Sequence, residues 1–134
     1  MGSREADLAV LEQYFAAMAA GGPPAAMRFY HPEVVLEVPG AHPASGTYRG
    51  HDGVGGFGAT MAGLTSRTFR LTPVDLLASE AHVVTIADAS ATVAGRTLEW
   101  RRVIVSQVRD GMLAHLRFFE SDQASVDALL NGAQ

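Results

Sequence analysis

The sequence predicts an α+β fold in which helices pack on one side of a curved, mainly antiparallel sheet. Three features predict it: apolar residues at helical spacing near the N-terminus, a second such pattern after residue 52, and four segments of alternating pattern from residue 68 onward. Periods near 3.6 and 2 residues are typical of half-buried helices and strands, respectively. Because the helical segments come before the long run of strands, an α+β arrangement is favoured over alternating βαβ units.

The composition indicates one globular domain over residues 1–134. Hydrophobic residues make up 48% and charged residues 18%, which suffices for a core and argues against disorder. A net charge of −4 without a basic cluster argues against nucleic acid or an anionic membrane as a partner. The lack of cysteine excludes thiolate chemistry and thiolate metal sites. We find neither a signal-peptide core nor an apolar run long enough to span a membrane, and we expect a cytoplasmic protein.

The first helix is predicted over residues 4–20. Its apolar positions lie three or four residues apart, at Leu8, Leu11, Phe15 and Met18, and Tyr14 lies beside them. Two glycines and two prolines at 21–24 should end it, and Pro24 can open a short second helix to about Tyr30. A strand over Val34–Val38 follows, and then a Pro/Gly-bounded loop over residues 39–50 that contains His42.

A further helix is predicted after Asp52, a good N-cap residue. Its buried side should consist of Val54, Phe57, Met61 and Leu64. Glycines 53, 55, 56 and 58 spell G-x-G-x-x-G within it. A dinucleotide site would need a strand directly before this motif within a parallel βαβ unit, whereas we expect a loop there. The pattern favours a loosely packed helix that lies close to a sheet.

From residue 68 the chain should form one antiparallel meander. Its strands are predicted at Thr68–Leu77, His82–Val93, Leu98–Val108 and Met112–Phe119. Ala94-Gly95 suits a two-residue hairpin loop, and this pairing sets Asp88 directly across from Arg101. Arg109-Asp110-Gly111 is interpreted as a three-residue loop with Gly111 in the left-handed conformation, which pairs Val108 with Met112.

This register defines one inward face and one outward face of the sheet. Trp100 then lies opposite Glu120, Arg102 opposite Phe118 and Ile104 opposite Leu116. Thr85, Ala87, Ala89 and Ser106 belong to the same inward face. A slip of one residue would exchange the two faces, so the assignment depends on the turn.

Four segments carry a resemblance to a known superfamily: LEQYFAAM, FYHPEVVLEVPG, GTYRGHDGVGGF and VRDGMLAHLRFFESD. Together they resemble the SnoaL-like and ketosteroid-isomerase-like branch of the nuclear transport factor 2-like superfamily. The resemblance implies a cystatin-like α+β fold, with a cone-shaped, strongly curved, mixed or antiparallel sheet wrapped around the N-terminal helices. It leaves the reaction open, because this fold hosts isomerases, cyclases, epoxide hydrolases, dehydratases and binding proteins.

Comparison with the functional residues of that superfamily separates what is retained from what is lost. Tyr14 matches the first-helix tyrosine that ketosteroid isomerases use as an oxyanion donor. The general base of those enzymes falls on Val38, their protonated aspartate falls near Ile104, and a further network tyrosine falls on Gly58. The late-strand aspartate of limonene-epoxide-hydrolase-like members falls on Phe118. Neither mechanism carries over intact.

The candidate catalytic residues are therefore Tyr14, Arg102 and Glu120. The alternative interpretations are a core tyrosine and a structural ion pair at the rim of the sheet. The expected substrate-binding residues line the cone and its mouth: Val38, His42, Phe57, Met61, Trp100, Ile104, Leu116 and Phe118. Glu37 would join them as a base only if its strand were shifted by one residue. The histidines show no spacing typical of metal ligands, and we expect neither a metal nor a cofactor.

The leading hypothesis is a cofactor-independent acid/base enzyme of isomerase, cyclase or hydrolase/hydratase type. Its substrate would be a small hydrophobic or polycyclic molecule held in an enclosed cavity. The alternative is a non-catalytic small-molecule-binding or accessory protein of the same fold. We also expect a homodimer through the outward sheet face. On a monomer, that face would expose five apolar residues to water: Val84, Ile86, Val103, Val105 and Phe119.

Overall fold

The structure, a computed structural model, describes residues 3–133. It contains a mixed six-stranded sheet and three helices. The helices are α1 (Arg4–Ala26), α2 (Gly50–Leu64) and α3 (Gln123–Asn131), and a 3₁₀ turn covers Met27–Phe29. The strands are β1 (Tyr30–Val38), β2 (Gly46–Arg49), β3 (Arg70–Ala78), β4 (Val83–Val93), β5 (Arg96–Arg109) and β6 (Met112–Glu120). Their order in the sheet is β2-β1-β6-β5-β4-β3, and the β1–β6 pair is parallel while the other pairs are antiparallel. The predicted α+β class is confirmed.

Helix α1 begins and breaks where the sequence indicates. The Ser3 side chain accepts a hydrogen bond from the backbone N–H of Ala6 at 2.9 Å, which caps the first turn. Gly22 has φ +72° and ψ −168°, a non-helical conformation that glycine adopts without steric cost. The chain resumes a short helical segment through Pro23 and Pro24 to Ala26, as predicted. No helix between residues 3 and 133 combines the length and the apolarity that crossing a bilayer requires.

Helix α2 begins two residues before its predicted cap, directly after the unpredicted strand β2. One of its glycines serves close packing, because a Cβ atom on Gly53 would lie 3.2 Å from the backbone carbonyl carbon of Tyr48. Strand β2 pairs antiparallel with β1. The parallel βαβ unit of a dinucleotide site is therefore not formed around this motif, and the predicted close-lying helix is confirmed.

The β4–β5 hairpin has the predicted register. Val93 pairs with Arg96, and Ala94 and Gly95 have φ of 52° and 78°, as a two-residue loop requires. Asp88 lies opposite Arg101, and their side chains form an ion pair at 2.9 Å on the outward face.

The β5–β6 hairpin differs from its prediction in two ways. Its loop has two residues, because Arg109 pairs with Met112 and both intervening residues have positive φ. A β-bulge then follows in β6, where Gln107 pairs with His115 but Val108 pairs with Leu113. The two one-residue offsets add, so every partner beyond the bulge is shifted by two residues. The inward and outward faces predicted for β5 therefore stand, but the predicted partners are wrong.

The interior contains two apolar clusters, and α3 covers the second. The first cluster lies under α1 and includes Leu11 and Tyr14. The second joins the inward face of β4 and β5 to the buried side of α3, which is formed by Val126, Leu129 and Leu130. This helix was not predicted. Helix α3 packs on the inward side of the sheet and does not cover the outward face. Among residues 3–133, the outward residue Phe119 is 49% exposed.

Candidate functional site

The inward face brings most of the predicted lining residues together. Six of them are buried within the two clusters: Val38, Met61, Trp100, Ile104, Leu116 and Phe118. Phe57 is half-buried and packs edge-on against Phe118, with ring centroids 5.8 Å apart. Glu37 faces away from this group, because it pairs with His115 at 2.6 Å on the outward side of β1 and β6. It is therefore not an interior base.

A pair of buried phenols occupies the first cluster. The hydroxyl oxygens of Tyr14 and Tyr30 lie 2.6 Å apart. Burial raises the pKa of both phenols, so both carry their protons at neutral pH. In such a pair one hydroxyl donates to the other, and the accepting hydroxyl keeps its own proton for another partner. The pair can therefore donate one hydrogen bond into the interior. Tyr14 was predicted to have such a role, whereas Tyr30 was not predicted to belong to the site.

Arg102 and Glu120 lie directly opposite each other in adjacent strands and form a buried ion pair. The Nε of Arg102 lies 3.0 Å from Oε1 of Glu120, and its Nη2 lies 2.8 Å from Oε2. Their side chains are only 5% and 1% exposed, so the pair lies in the interior, and the alternative of an ion pair at the rim is wrong as to position. The indole N–H of Trp100 also donates a hydrogen bond, 3.2 Å long, to Oε1 of Glu120. The carboxylate is thus committed to protein donors.

Two aromatic rings complete the environment of the guanidinium. The Cζ atom of Arg102 lies 4.2 Å from the ring centroid of Phe118 and 5.2 Å from that of Phe69. Cations placed over ring faces in this way are attracted by the ring quadrupole. Phe69 was not predicted to belong to the site. In this conformation Arg102, Glu120 and Trp100 are bonded to one another, and the charges of Arg102 and Glu120 neutralise each other.

His42 lies half-buried in the loop between β1 and β2, near the ion pair. Its Nδ1 accepts a hydrogen bond from the backbone N–H of Ala44 at 3.1 Å, so the neutral ring carries its proton on Nε2. Desolvation lowers the pKa of His42, and the charge of Arg102 acts in the same direction. The carboxylates of Asp127 and Glu120 oppose this shift. At neutral pH the ring is therefore an uncharged hydrogen-bond donor.

Thr85 and Ser106 carry hydroxyl groups on the inward face of the sheet. The predicted register put both residues on that face, but neither was predicted to belong to the site. Thr85 and Ser106 are fully buried, and neither hydroxyl has a hydrogen-bond partner. Polar residues at inward-facing strand positions are the sequence signal that could have identified them. Over residues 3–133, no three His, Asp or Glu side chains converge as metal ligands would.

Two depressions are found elsewhere on the described surface. One, of about 270 Å³, lies between the tip of the β4–β5 hairpin and α3. The other, of about 520 Å³, lies mainly on the outward side of β3, β4 and β5. Neither is lined by Tyr14, Arg102 or Glu120. The enclosed cavity expected from the sequence stays a prediction.

Comparison with known proteins places this arrangement in a family. A model of the SnoaL-like domain matches residues 11–116. The chain belongs to the SnoaL-like family. This confirms the resemblance inferred from the four sequence segments, and members of the family include polyketide cyclases and isomerases.

Individual relatives of this SnoaL-like chain agree with the assignment. The uncharacterized protein Rv0034 of Mycobacterium tuberculosis is 30% identical over 125 residues, covering 92% of this chain and 95% of that protein. A Xanthomonas campestris protein with a cystatin-like fold is similar at a TM-score of 0.84 and 26% identity, covering 96% and 98% of the two chains. TerC, whose structure was obtained with polyporic acid, is similar at a TM-score of 0.82 and 19% identity, covering 93% and 98%. These structures support the predicted fold.

Proposed function

We propose that this SnoaL-like protein binds a small, largely apolar molecule inside the cone of its sheet, with one oxygen of that molecule hydrogen-bonded to the Tyr14–Tyr30 pair. The observation that carries the proposal is the phenol pair itself: two buried hydroxyls 2.6 Å apart share one hydrogen bond and leave one proton uncommitted. An uncommitted donor inside an apolar core is costly unless it meets an acceptor. A ligand oxygen is such an acceptor.

The surroundings of the phenols support an apolar ligand. The first cluster joins Tyr14 and Tyr30 to aliphatic and aromatic side chains such as Ile104 and Phe118. Small-molecule sites in proteins are typically apolar with few polar groups that fix the orientation of the ligand. TerC, a protein of similar fold, was co-crystallised with polyporic acid, which supports the binding of a small molecule by this fold.

The second candidate function is a cofactor-independent acid/base enzyme of isomerase, cyclase or hydrolase/hydratase type acting on the same class of molecule. The uncommitted phenol proton favours it, because a hydrogen bond from the phenol pair to a ligand carbonyl would stabilise negative charge that develops on that oxygen. The bonding of Glu120 favours binding without catalysis, because its carboxylate accepts hydrogen bonds from Arg102 and Trp100 and would have to leave them to accept a proton. We therefore place binding first.

Naphthalene and 2-naphthol test the proposal, because they share one shape and differ by one hydroxyl. We expect the protein to bind both, and to bind 2-naphthol roughly five- to tenfold more tightly, which is the effect of about 1 kcal/mol from one neutral hydrogen bond. The Tyr14→Phe/Tyr30→Phe double variant should abolish that preference, because either hydroxyl left alone could still donate its proton to the ligand. The matched control is Tyr48→Phe, because the Tyr48 hydroxyl donates to the carbonyl of Ala44 and should leave the preference unchanged. Binding of neither probe by the wild-type protein, or a preference for 2-naphthol in the double variant as large as in the wild type, would refute the proposal.

For any substrate that the protein is found to convert, the same Tyr14→Phe/Tyr30→Phe double variant tests the enzymatic candidate. A general acid or base typically contributes about 10²–10⁴-fold to a rate. A loss of that size in turnover, with naphthalene binding retained, would assign a catalytic role to the phenol pair. Full turnover would exclude both phenols from the chemistry.

A further inference from the structure

Thr85 and Ser106 stand out among the buried polar side chains of residues 3–133. Both are 0% exposed, and neither hydroxyl has a hydrogen-bond partner. Thr65 is equally buried, but its hydroxyl donates to the carbonyl of Met61 at 2.8 Å. Native proteins rarely leave a buried polar group unpaired, and such groups need an explanation.

The strand register places the two hydroxyl-bearing residues next to each other on the inward face. Thr85 pairs with Ile104, and Ser106 pairs with Val83 in β4 and with Leu116 in β6. Thr85 and Ser106 are thus diagonal neighbours across β4 and β5, with Cβ atoms less than about 8 Å apart. They belong to the same face as Arg102. Along β5 the inward positions are Arg102, Ile104 and Ser106 in that order. Both lie toward the interior that the proposed ligand would occupy.

We propose that Thr85 and Ser106 form a second oxygen-binding subsite inside the cone, which takes a neutral hydroxyl or carbonyl group of the ligand; this inference rests on the proposed function. A hydroxyl side chain both donates and accepts, so the two together match an uncharged oxygen better than an ion. The nearest cation in the register, Arg102, already pairs with Glu120. The ligand class is thereby narrowed to apolar molecules with at least two oxygen functions, one for the phenol pair and one for this subsite.

The first measurement uses the protein without ligand. Thr85→Val keeps the shape of the side chain and removes an unpaired hydroxyl, so we expect the melting temperature to rise by about 2–4 °C. The matched control, Thr65→Val, removes a hydroxyl that has a partner and should lower it. If Thr85→Val and Ser106→Ala both lower the melting temperature as the control does, the hydroxyls are paired as part of the fold and the proposal is wrong.

The second measurement compares 2-naphthol with the isomers of dihydroxynaphthalene. We expect at least one isomer to bind the wild-type protein about fivefold more tightly than 2-naphthol, and the Thr85→Val/Ser106→Ala double variant to lose that gain while retaining 2-naphthol. A gain that persists in the double variant, or no gain with any isomer, would overturn the subsite while leaving the proposed function intact. Failure of the wild-type protein to prefer 2-naphthol over naphthalene would instead remove the proposed function, and the subsite with it.

Discussion

Removing one partner of the Arg102–Glu120 pair should destabilise the protein severely. The two side chains are only 5% and 1% exposed, so Glu120→Gln leaves the guanidinium buried without its counter-charge. Breaking a buried pair in this way costs about 3–5 kcal/mol, a large part of the roughly 5–15 kcal/mol that stabilises a typical domain. With a urea m-value of about 1.5 kcal/mol per molar, the unfolding midpoint should fall by about 2–3 M. The protein has one tryptophan, Trp100, whose fluorescence reports unfolding beside the pair.

The neighbouring pair on the outward face is a matched control. Arg101 and Asp88 are bonded across β4 and β5 at 2.9 Å, but their side chains are 52% and 62% exposed. Asp88→Asn should therefore cost no more than about 1 kcal/mol. The double variant Arg102→Met/Glu120→Leu should recover most of the lost stability, because it removes both buried charges. If Glu120→Gln lowers the free energy of unfolding as little as Asp88→Asn does, the Arg102–Glu120 pair is not formed in solution. The Glu120 carboxylate is then free for acid/base chemistry.

Two further predictions concern pH and assembly. Because burial lowers the pKa of His42, the unfolded chain binds a proton before the folded chain does as the pH falls below about 6.5, and stability should decline there. His42→Asn, which can still accept the N–H of Ala44, should flatten that decline in melting temperature, and an unchanged profile would contradict it. The homodimer through the outward face stays a prediction: Val105→Glu should split it by placing a charge in the interface, whereas light scattering that gives a single-chain mass for wild-type protein would refute it.

The faces of the sheet could be predicted from the sequence, but the partners within them could not. A strand period of two residues makes the inward face insensitive to any even shift. Asp110-Gly111 is a typical two-residue loop sequence, so the correct loop was available from the sequence and was misinterpreted. The bulge after Leu113 has no comparable sequence signal. Beyond the bulge the inward faces were therefore correct only because the loop error and the missed bulge add to an even number. Before the bulge the shift is one residue, and Leu113, expected on the outward face, is buried in the first cluster.

The C-terminal helix was missed although its signals are present. Asp122 is a favourable cap, and its side chain accepts the backbone N–H of Ser125 at 3.1 Å. Val126, Leu129 and Leu130 follow at helical spacing. The stretch after the last strand was too short to suggest a further element, since nine residues of helix gain most of their stability from packing rather than from intrinsic propensity. That packing, against the inward face of β4 and β5, is visible only in the folded structure.

The same two-residue shift decides how the candidate site is interpreted. In the predicted register Arg102 lies opposite Phe118, and Glu120 is a diagonal neighbour with lone pairs to spare for a ligand. In the structure Arg102 lies directly opposite Glu120, and the carboxylate is enclosed by the guanidinium and the indole of Trp100. Which residues share a face follows from periodicity, whereas which of them keeps a free proton or lone pair depends on each hydrogen bond. By that criterion the polar groups still available to a ligand on the buried inner surface are the Tyr14–Tyr30 pair and the hydroxyls of Thr85 and Ser106 rather than the ion pair, and the half-buried His42 adds its Nε2 proton from the loop.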